Sequence, residues 1–156
     1  MKTKIALGAI AMSVASFTGS AHTTNPTDEQ AGKKIFSAFQ HNAFVEYNSL
    51  LPTLPELLHV MDANASFYGA YLKEAKAEMS KHYDNDVRRI EASFTSAIEQ
   101  GKLNHINWSK AQFVSVEREH SNLTIEFTVD GQSHKIEVVV TEIEGELHAG
   151  ECVELI

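Results

Sequence analysis

Apolar residues in the first part of the chain recur at three- and four-residue steps, the spacing of one face of an α-helix. This pattern predicts a first helix that begins at Thr27 or Asp28, either of which can cap it, and runs to about residue 51, where Pro52 ends it. The apolar face of this helix consists of Ile35, Phe36, Phe39, Ala43 and Tyr47.

Two further helices are predicted before the pattern changes. Thr53 starts a short one, because Glu56 lies at the position of a capping box and Pro55 lies in the first turn. A long one follows and ends at Gly101, a residue type favoured at helix ends. Its apolar stripe has a mean step close to the helical period and consists of Tyr68, Leu72, Ala75, Met79, Tyr83, Val87, Ile90, Phe94 and Ile98.

The last third of the chain alternates apolar and polar residues with a period of two, which is typical of half-buried β-strands. Asp130-Gly131 and Glu144-Gly145 each predict a two-residue hairpin turn. The apolar members of the four predicted strands are Val114 and Val116; Leu123, Ile125, Phe127 and Val129; Ile136, Val138 and Val140; and Leu147, Ala149, Val153 and Leu155.

The two turns also fix which residues face each other across the hairpins. The first turn pairs Ile125 with Ile136, and the second pairs Ile136 with Val153 and Val140 with Ala149. Both registers place the apolar residues on one shared face, and on the other face they place Lys135 between two glutamates, Glu126 and Glu154. The predicted fold class is therefore α+β, with N-terminal helices, including one long helix, packed on a C-terminal four-stranded antiparallel meander.

The N-terminal residues follow the order of a secretory signal. Lys2 and Lys4 precede an apolar run, and small residues end at Ala21, after which we expect cleavage. The run is too short to cross roughly 30 Å of hydrocarbon as a helix. We expect residues 1–21 to be removed, residues 22–27 to form a polar leader and residues 28–156 to form a single α+β domain. The product is expected to be periplasmic or secreted, without membrane insertion.

Composition and charge narrow the classes of function. The 156 residues are 43% hydrophobic and include one cysteine, which is typical of a single globular domain and argues against disorder or a disulfide scaffold. A net charge of −8 argues against binding to nucleic acid or anionic membrane, and favours a protein partner of basic character. Cys152 has no accompanying catalytic motif and is expected to be a half-buried strand residue. The oligomeric state is left open.

Three short segments give the chain a resemblance to a known class of proteins. They are Asn48-Ser49-Leu50-Leu51-Pro52-Thr53, then Gly101, then Ile106-Asn107-Trp108, placed between the helices and before the meander. With this order of elements the chain resembles small exported bacterial proteins of the cystatin-like/NTF2-like kind, many of which are uncharacterised. The resemblance implies an α+β fold and does not single out an activity.

The sequence lacks the common signatures of catalysis and cofactor binding. It contains no glycine-rich phosphate loop, no G-x-S-x-G elbow, no H-E-x-x-H and no paired cysteines. None of its eight histidines pairs with another at the spacing that would put both on one helix turn or one strand face. No cofactor or metal ion is therefore expected, and a non-catalytic protein is favoured without an enzyme being excluded.

One carboxylate breaks the alternation of the last strand. In the predicted register Glu151 lies on the apolar face opposite Val138, where a desolvated carboxylate can act as a general base or bind a polar ligand. His134 lies on the same face, and together with Trp108 or Tyr71 it completes a candidate pocket. The alternative, which we favour, is a bulge at Gly150 that turns Glu151 outward to water.

Two functions from different classes remain, and a structural envelope protein is a third possibility that the sequence does not distinguish from them. The favoured one is an exported, non-catalytic binding or inhibitor module of immunity type, which uses an acidic surface and a sheet face or helix end. The alternative is a small NTF2-like pocket enzyme or ligand carrier that uses the inward carboxylate. Phe67, Tyr68 and Tyr71 form an aromatic cluster that we expect to be core, with a partner site as the alternative.

Overall fold

The computed structural model describes residues 25–156, so the predicted signal peptide and residues 22–24 of the polar leader lie outside the described residues. The chain is α+β in this range, with helices first and a sheet after them. The helices are α1 (Pro26–His41), α2 (Phe44–Asn48), α3 (Leu54–Ala63), α4 (Ala65–Tyr68) and α5 (Leu72–Leu103), with short 3-10 turns at Gly69–Tyr71 and Trp108–Lys110. The strands are β1 (Gln112–Glu119), β2 (Asn122–Val129), β3 (Gln132–Ile143) and β4 (Glu146–Leu155). None of the helices within residues 25–156 has the length and apolar content that a membrane crossing requires.

The first predicted helix is two helices, α1 and α2. Asn25, rather than Thr27 or Asp28, caps α1, since its Oδ1 accepts a hydrogen bond from the Thr27 N–H at 3.1 Å. The helix ends at His41 because Asn42 adopts a left-handed conformation with φ 51°, which asparagine tolerates better than most residues. The apolar spacing continues across this break and therefore conceals it in the sequence.

The capping box of α3 is confirmed. The Thr53 hydroxyl oxygen accepts the Glu56 N–H at 3.4 Å, and the Glu56 carboxylate accepts the Thr53 N–H at 2.7 Å. The same carboxylate accepts the Thr53 hydroxyl, and these bonds lower the pKa of Glu56. The start of α3 is thus fixed by side chains that the sequence identifies.

Helix α5 begins and ends later than predicted. It starts at Leu72 rather than at Tyr68, which belongs to α4, and it continues past Gly101 to Leu103. Gly101 serves close packing instead of termination, because a Cβ there would lie 2.6 Å from the Trp108 ring. That ring is buried between Phe39 and Phe127, at centroid distances of 5.4 and 5.3 Å.

The apolar stripe of α5 is divided between two clusters, so the expectation that the whole stripe packs on the sheet is wrong. Its second half packs against the sheet in the main core, through Val87, Ile90, Phe94 and Ile98. Its first half packs against α3 and one strand residue, Ile143, through Leu72, Ala75, Met79 and Tyr83. We call α3, α4, the 3-10 turn after it and residues 72–83 of α5 the helical arm. The apolar period specifies a buried face of a helix but not what buries it.

The sheet is antiparallel in the order β1-β2-β3-β4, as predicted. Asp130-Gly131 and Glu144-Gly145 form the two turns with positive φ, and the pairs Ile125–Ile136 and Val140–Ala149 are confirmed. Beyond Ala149 the register of β4 shifts twice. The pairs that differ from the predicted register are Val138 with Cys152, Glu137 with Glu154 and Ile136 with Leu155.

These two shifts correct the predicted face of β4. Val153 is exposed rather than paired with Ile136, and Cys152 turns toward the main core instead. Each irregularity inserts one extra residue, so the second restores the alternation that the first disrupts and Leu155 packs inward. Alternation alone does not show a pair of bulges that cancel.

The outer edge of β4 is covered by polar groups from the helical layer. The Ala149 N–H donates to the Leu50 carbonyl at 2.8 Å, and the Cys152 N–H donates to the Ser93 hydroxyl at 3.1 Å. Between them, the Tyr47 hydroxyl donates to the Gly150 carbonyl at 2.6 Å. Backbone groups of Ala149, Gly150 and Cys152, in the central part of this edge strand, are therefore hydrogen-bonded to the helical layer.

Candidate functional site

The sheet has one covered face and one open face. The helices pack on the face that carries the buried residues Leu123, Ile125, Ile136 and Val138. The residues that alternate with them along β2 and along β3 from Ser133 to Val139 are exposed or half-buried, whereas Ile143 near the end of β3 is buried against α3 and α5. We call this open surface the acidic face, because its carboxylates are Glu117, Glu119, Glu126, Glu137 and Glu154.

The strand register places these carboxylates in defined rows. Glu117, Thr124, Glu137 and Glu154 follow one another across all four strands. Glu137 and Glu154 are direct cross-strand neighbours, and like charges in that position destabilise a sheet. Lys135 pairs with Glu126 as predicted, but Ile156 rather than Glu154 lies on its other side. Among the described strand residues, Lys135 is the only lysine or arginine on this face.

Neutral side chains orient two of the carboxylates. Glu126 accepts hydrogen bonds from the Ser133 hydroxyl at 2.8 Å and the Ser115 hydroxyl at 3.3 Å. The pKa of Glu126 is lowered, mainly by the Ser133 hydrogen bond, with smaller effects of Ser115 and the Lys135 charge. Glu137 accepts a hydrogen bond from the Asn122 amide at 2.5 Å. Such donors fix the direction of a carboxylate while leaving its negative charge in place.

Many acidic residues outside this face are matched by a cation. Glu29 pairs with Lys33 and Glu99 with Lys102 along single helices. Arg118 joins Asp28 to Glu142 at 3.4 and 3.0 Å. By contrast, the described residues provide no ion pair within 4 Å for three carboxylates of the acidic face, Glu126, Glu137 and Glu154. Glu137 and Glu154 therefore present negative charge without an ion pair among the described residues, and Lys135 partly compensates Glu126.

Glu151 does not lie on the apolar face opposite Val138, and that predicted position is wrong. The bulge at Gly150 and Glu151, which we favoured, places Cys152 opposite Val138. The Glu151 side chain is 41% exposed, and its carboxylate pairs with Arg89 Nε at 2.6 Å. Arg89 also contacts the buried Asp86 carboxylate at 2.9 Å, so it links α5 to β4.

The other three pocket candidates share no described cavity with Glu151, and two of them, His134 and Trp108, lie against the same Phe127 ring. His134 pairs with Phe127 and stacks on its ring, with centroids 5.5 Å apart. Trp108 is buried in the main core, and Tyr71 is 73% exposed at the start of α5. A groove of about 470 Å³ touches Trp108, and its lining includes none of the other three. The structure thus brings no two of the four candidates into a shared cavity among those it describes.

The single cysteine lies in a buried polar cluster. Burial raises the pKa of the Cys152 thiol to about 11, and burial also raises the pKa of Tyr47 well above its usual value. The thiol lies 3.7 Å from the Tyr47 hydroxyl. A thiol with such a pKa is protonated at neutral pH and is a poor nucleophile, so the cluster supports packing rather than catalysis.

The remaining concave surfaces lie around the β3–β4 hairpin. One groove of about 350 Å³ separates the hairpin from α1, and another of about 430 Å³ separates it from α3. His59 approaches Glu144 at 3.3 Å in the second, but both side chains are more than two-thirds exposed. Within the described residues, no group of three or more His, Cys, Asp or Glu side chains is arranged to hold a metal ion.

The alternation of β1 to β4 contains the signal for the acidic face, since its polar positions include a glutamate on every strand. The predicted registers brought Glu126 and Lys135 together correctly, whereas the bulges of β4 concealed the Glu137–Glu154 pair. No protein-family model, curated protein or solved structure matches this chain. The description of the acidic face therefore rests on this structure alone.

Proposed function

We propose that the protein is exported and acts as a non-catalytic binding module of inhibitor or immunity type, which holds a basic partner protein against its acidic face. The observation that carries this proposal is the charge of Glu126, Glu137 and Glu154 on an open sheet face, where no cation of the described residues lies within 4 Å of any of the three and only Lys135 faces one of them, Glu126. Two of these carboxylates are oriented by neutral donors, so a partner meets them already positioned. Such preorganisation lowers the entropic cost of binding.

The cross-strand pair of Glu137 and Glu154 gives the face a specific preference. A lysine or arginine placed between the two carboxylates relieves their repulsion and gains two charge-assisted contacts. A net charge of −8 on the chain also steers a basic partner toward it at low salt. We do not extend the proposal to a pocket enzyme or ligand carrier, because the carboxylate it requires, Glu151, faces Arg89.

The test compares two variants with the same change in net charge. The face variant carries Glu126→Gln, Glu137→Gln and Glu154→Gln. The control variant carries Glu74→Gln, Asp84→Asn and Glu91→Gln, which alter three exposed α5 carboxylates that form no ion pair with the residues that the structure describes. Envelope extract of the source organism is passed over each immobilised protein at low salt, and the basic protein retained by the wild type is purified for affinity measurements.

Three exposed charge pairs contribute about 1.5 kcal/mol together, which is roughly a tenfold change in Kd. We expect the face variant to lose about that factor, chiefly through slower association, and the control variant to bind like the wild type. Raising the salt concentration should weaken wild-type binding more than that of the face variant. Equal behaviour of the two variants, or retention of no basic protein, would contradict the proposal.

Export is tested separately on the protein isolated from its source. If the signal peptide is removed as proposed, the mature chain begins at His22 and fractionates with the periplasm or the medium. Intact-mass and N-terminal peptide measurements give the cleavage position. A cytoplasmic protein that retains Lys2 and Lys4 would overturn the proposed export and leave the acidic face to be judged by the binding experiment.

A further inference from the structure

The C-terminal end of β4 leaves backbone groups of an edge strand free. The Lys135 N–H donates to the Ile156 carbonyl at 2.8 Å, and the Ile156 N–H donates back to the Lys135 carbonyl at 2.7 Å. Hydrogen-bonded pairs alternate with unbonded ones along an antiparallel ladder, so the next pair, Ile136 and Leu155, is unbonded. The N–H and C=O of Leu155 therefore point away from β3, and no group within residues 25–156 bonds to them.

This end of the strand is also accessible. Among the described residues, the hydrogen bonds from the helical layer to the edge of β4 end at Cys152, three residues before Leu155. Val153 is 54% exposed and Ile156 is 62% exposed, so apolar surface lies on both sides of the free backbone groups. An accessible edge of this kind is where an extended segment of another chain can pair with a sheet.

Exposed side chains of the aromatic cluster lack such a strand edge. Phe67 is 63% exposed and Tyr71 is 73% exposed, so the expectation that this cluster is core is wrong for both, and Tyr68 alone packs against the helical arm. The Phe67 N–H is bonded within its own turn, to the Asn64 carbonyl at 2.9 Å. Single exposed apolar residues are common on protein surfaces, and the free backbone groups are what distinguish the end of β4.

The acidic face reaches the edge of the sheet at the same point. Glu154 is next to Leu155 in the chain and ends the row that runs across the strands from Glu117 through Thr124 and Glu137. A fifth strand would place a residue directly beside Glu154, with Cβ atoms about 4.5–5.5 Å apart. Glu137 already neighbours Glu154 on its other side, so this place repels a carboxylate and attracts a lysine or arginine.

The residue paired with Leu155 would meet the opposite requirement. Leu155 packs against the main core, so its neighbour on an added strand would also point to the covered face of the sheet. An apolar side chain suits that place because it extends the contact with Leu155. The end of β4 therefore fits an extended segment in which apolar and basic residues alternate.

We infer that the partner adds an extended segment to the C-terminal end of β4, with an apolar residue paired with Leu155 and a lysine or arginine beside Glu154. The inference rests on the proposed function for the basic character of the partner, and it adds how the partner is held. Leu155 supplies a backbone donor and acceptor, and Glu154 supplies a charge-assisted contact.

The first experiment uses three synthetic peptides, acetylated at one end and amidated at the other. The test peptide is Thr-Val-Lys-Val-Lys-Val-Thr. A scrambled peptide, Thr-Lys-Lys-Val-Val-Val-Thr, has the same composition and charge without the alternation, and a third peptide replaces both lysines by glutamate. In NMR titrations of the labelled protein we expect the test peptide to shift the Val153 and Leu155 amide signals, and the other two to bind about tenfold more weakly.

The second experiment removes the free donor without changing a side chain. Because the chain has a cysteine at 152, the last five residues can be made as a peptide carrying Leu155→N-methylleucine and ligated to the remainder. The methyl group lies on the outer edge, so the bonds between Lys135 and Ile156 should persist, which their amide signals check. We expect the modified chain to bind the test peptide about tenfold more weakly than a ligated chain with ordinary leucine.

Charge is tested with a matched pair of variants. Glu154→Gln should weaken binding of the test peptide about threefold, while Glu119→Gln, at the opposite edge of the sheet on β1, should leave it unchanged. Equal binding of the test and scrambled peptides, or unchanged binding after N-methylation, would overturn strand addition and leave the proposed acidic face intact. Absence of peptide binding would also overturn the inference. Failure of the proposed function is seen separately, as equal retention of basic protein by its face and control variants.

Discussion

Replacing Gly101 by alanine tests the packing of α5 against Trp108. Gly101 lies inside a helix, where alanine is usually favoured over glycine by about 1 kcal/mol. In this structure the added Cβ would lie 2.6 Å from Trp108 Cζ2 and Nε1 and 2.7 Å from Cε2, closer than real contacts of this kind. Helix propensity and packing therefore predict effects of opposite sign.

The packing effect is expected to dominate, because Trp108 is buried and in contact with other rings. Its ring lies between Phe39 and Phe127, with centroids 5.4 and 5.3 Å away. Overpacking a tight core costs about 1–3 kcal/mol, so after the gain in helix propensity Gly101→Ala should destabilise the protein by up to about 2 kcal/mol. In a chain of this size that lowers Tm by up to roughly 8 °C.

Urea unfolding followed by circular dichroism measures the change, and the fluorescence of Trp108, the only tryptophan, gives an independent signal. Gly32→Ala is the matched control, since its Cβ would lie 3.1 Å from a Val116 methyl group and requires only a small adjustment. In a Trp108→Leu background the obstructing ring atoms are absent, and Gly101→Ala should become neutral or stabilising. The same stabilisation in both backgrounds would refute the proposed close approach.

Two further predictions concern pKa values. Because burial raises the pKa of Cys152 to about 11, iodoacetamide should label the native protein at pH 8 on the order of 100-fold more slowly than the urea-unfolded chain, and equal rates by mass spectrometry would show an accessible thiolate. Ser133→Ala removes the largest cause that lowers the pKa of Glu126, so NMR titration should show this pKa rising toward its ordinary value, while Thr141→Ala leaves it unchanged. A lowered pKa stabilises the folded state above the unfolded pKa, and this contribution is lost as pH falls through the folded pKa, so the variant should lose less stability on acidification.

The two hairpin turns and the cap of α3 were predictable because they depend on neighbouring residues, whereas the cap of α1 proved to be Asn25 instead of Thr27 or Asp28. The Asp130-Gly131 turn fixes its register through backbone conformations that glycine and aspartate allow, and the Thr53 cap requires only Glu56 three residues later. Asn42 shows the limit of such signals. Its left-handed conformation ends α1, but the apolar spacing from Phe39 onward predicts no break.

Features that depend on distant parts of the chain were not predictable. Glycine is a residue type that commonly ends helices, and only the close approach of Trp108 shows that Gly101 is required for packing. The exposure of Tyr71 follows from the separate core of the helical arm, which a helical period does not reveal. For the same reason the sequence did not predict the ion pair between Arg89 of α5 and Glu151 of β4.

The polar groups along the outer edge of β4 have a consequence for solubility at high concentration. A strand whose edge amides and carbonyls are unoccupied is a template for pairing with another chain, which leads to fibril growth. Here Leu50, Tyr47 and Ser93 occupy those groups between Ala149 and Cys152. Pairing of β4 with a strand of another molecule is therefore blocked along the middle of this edge, because the helical layer that also forms the core occupies these backbone groups.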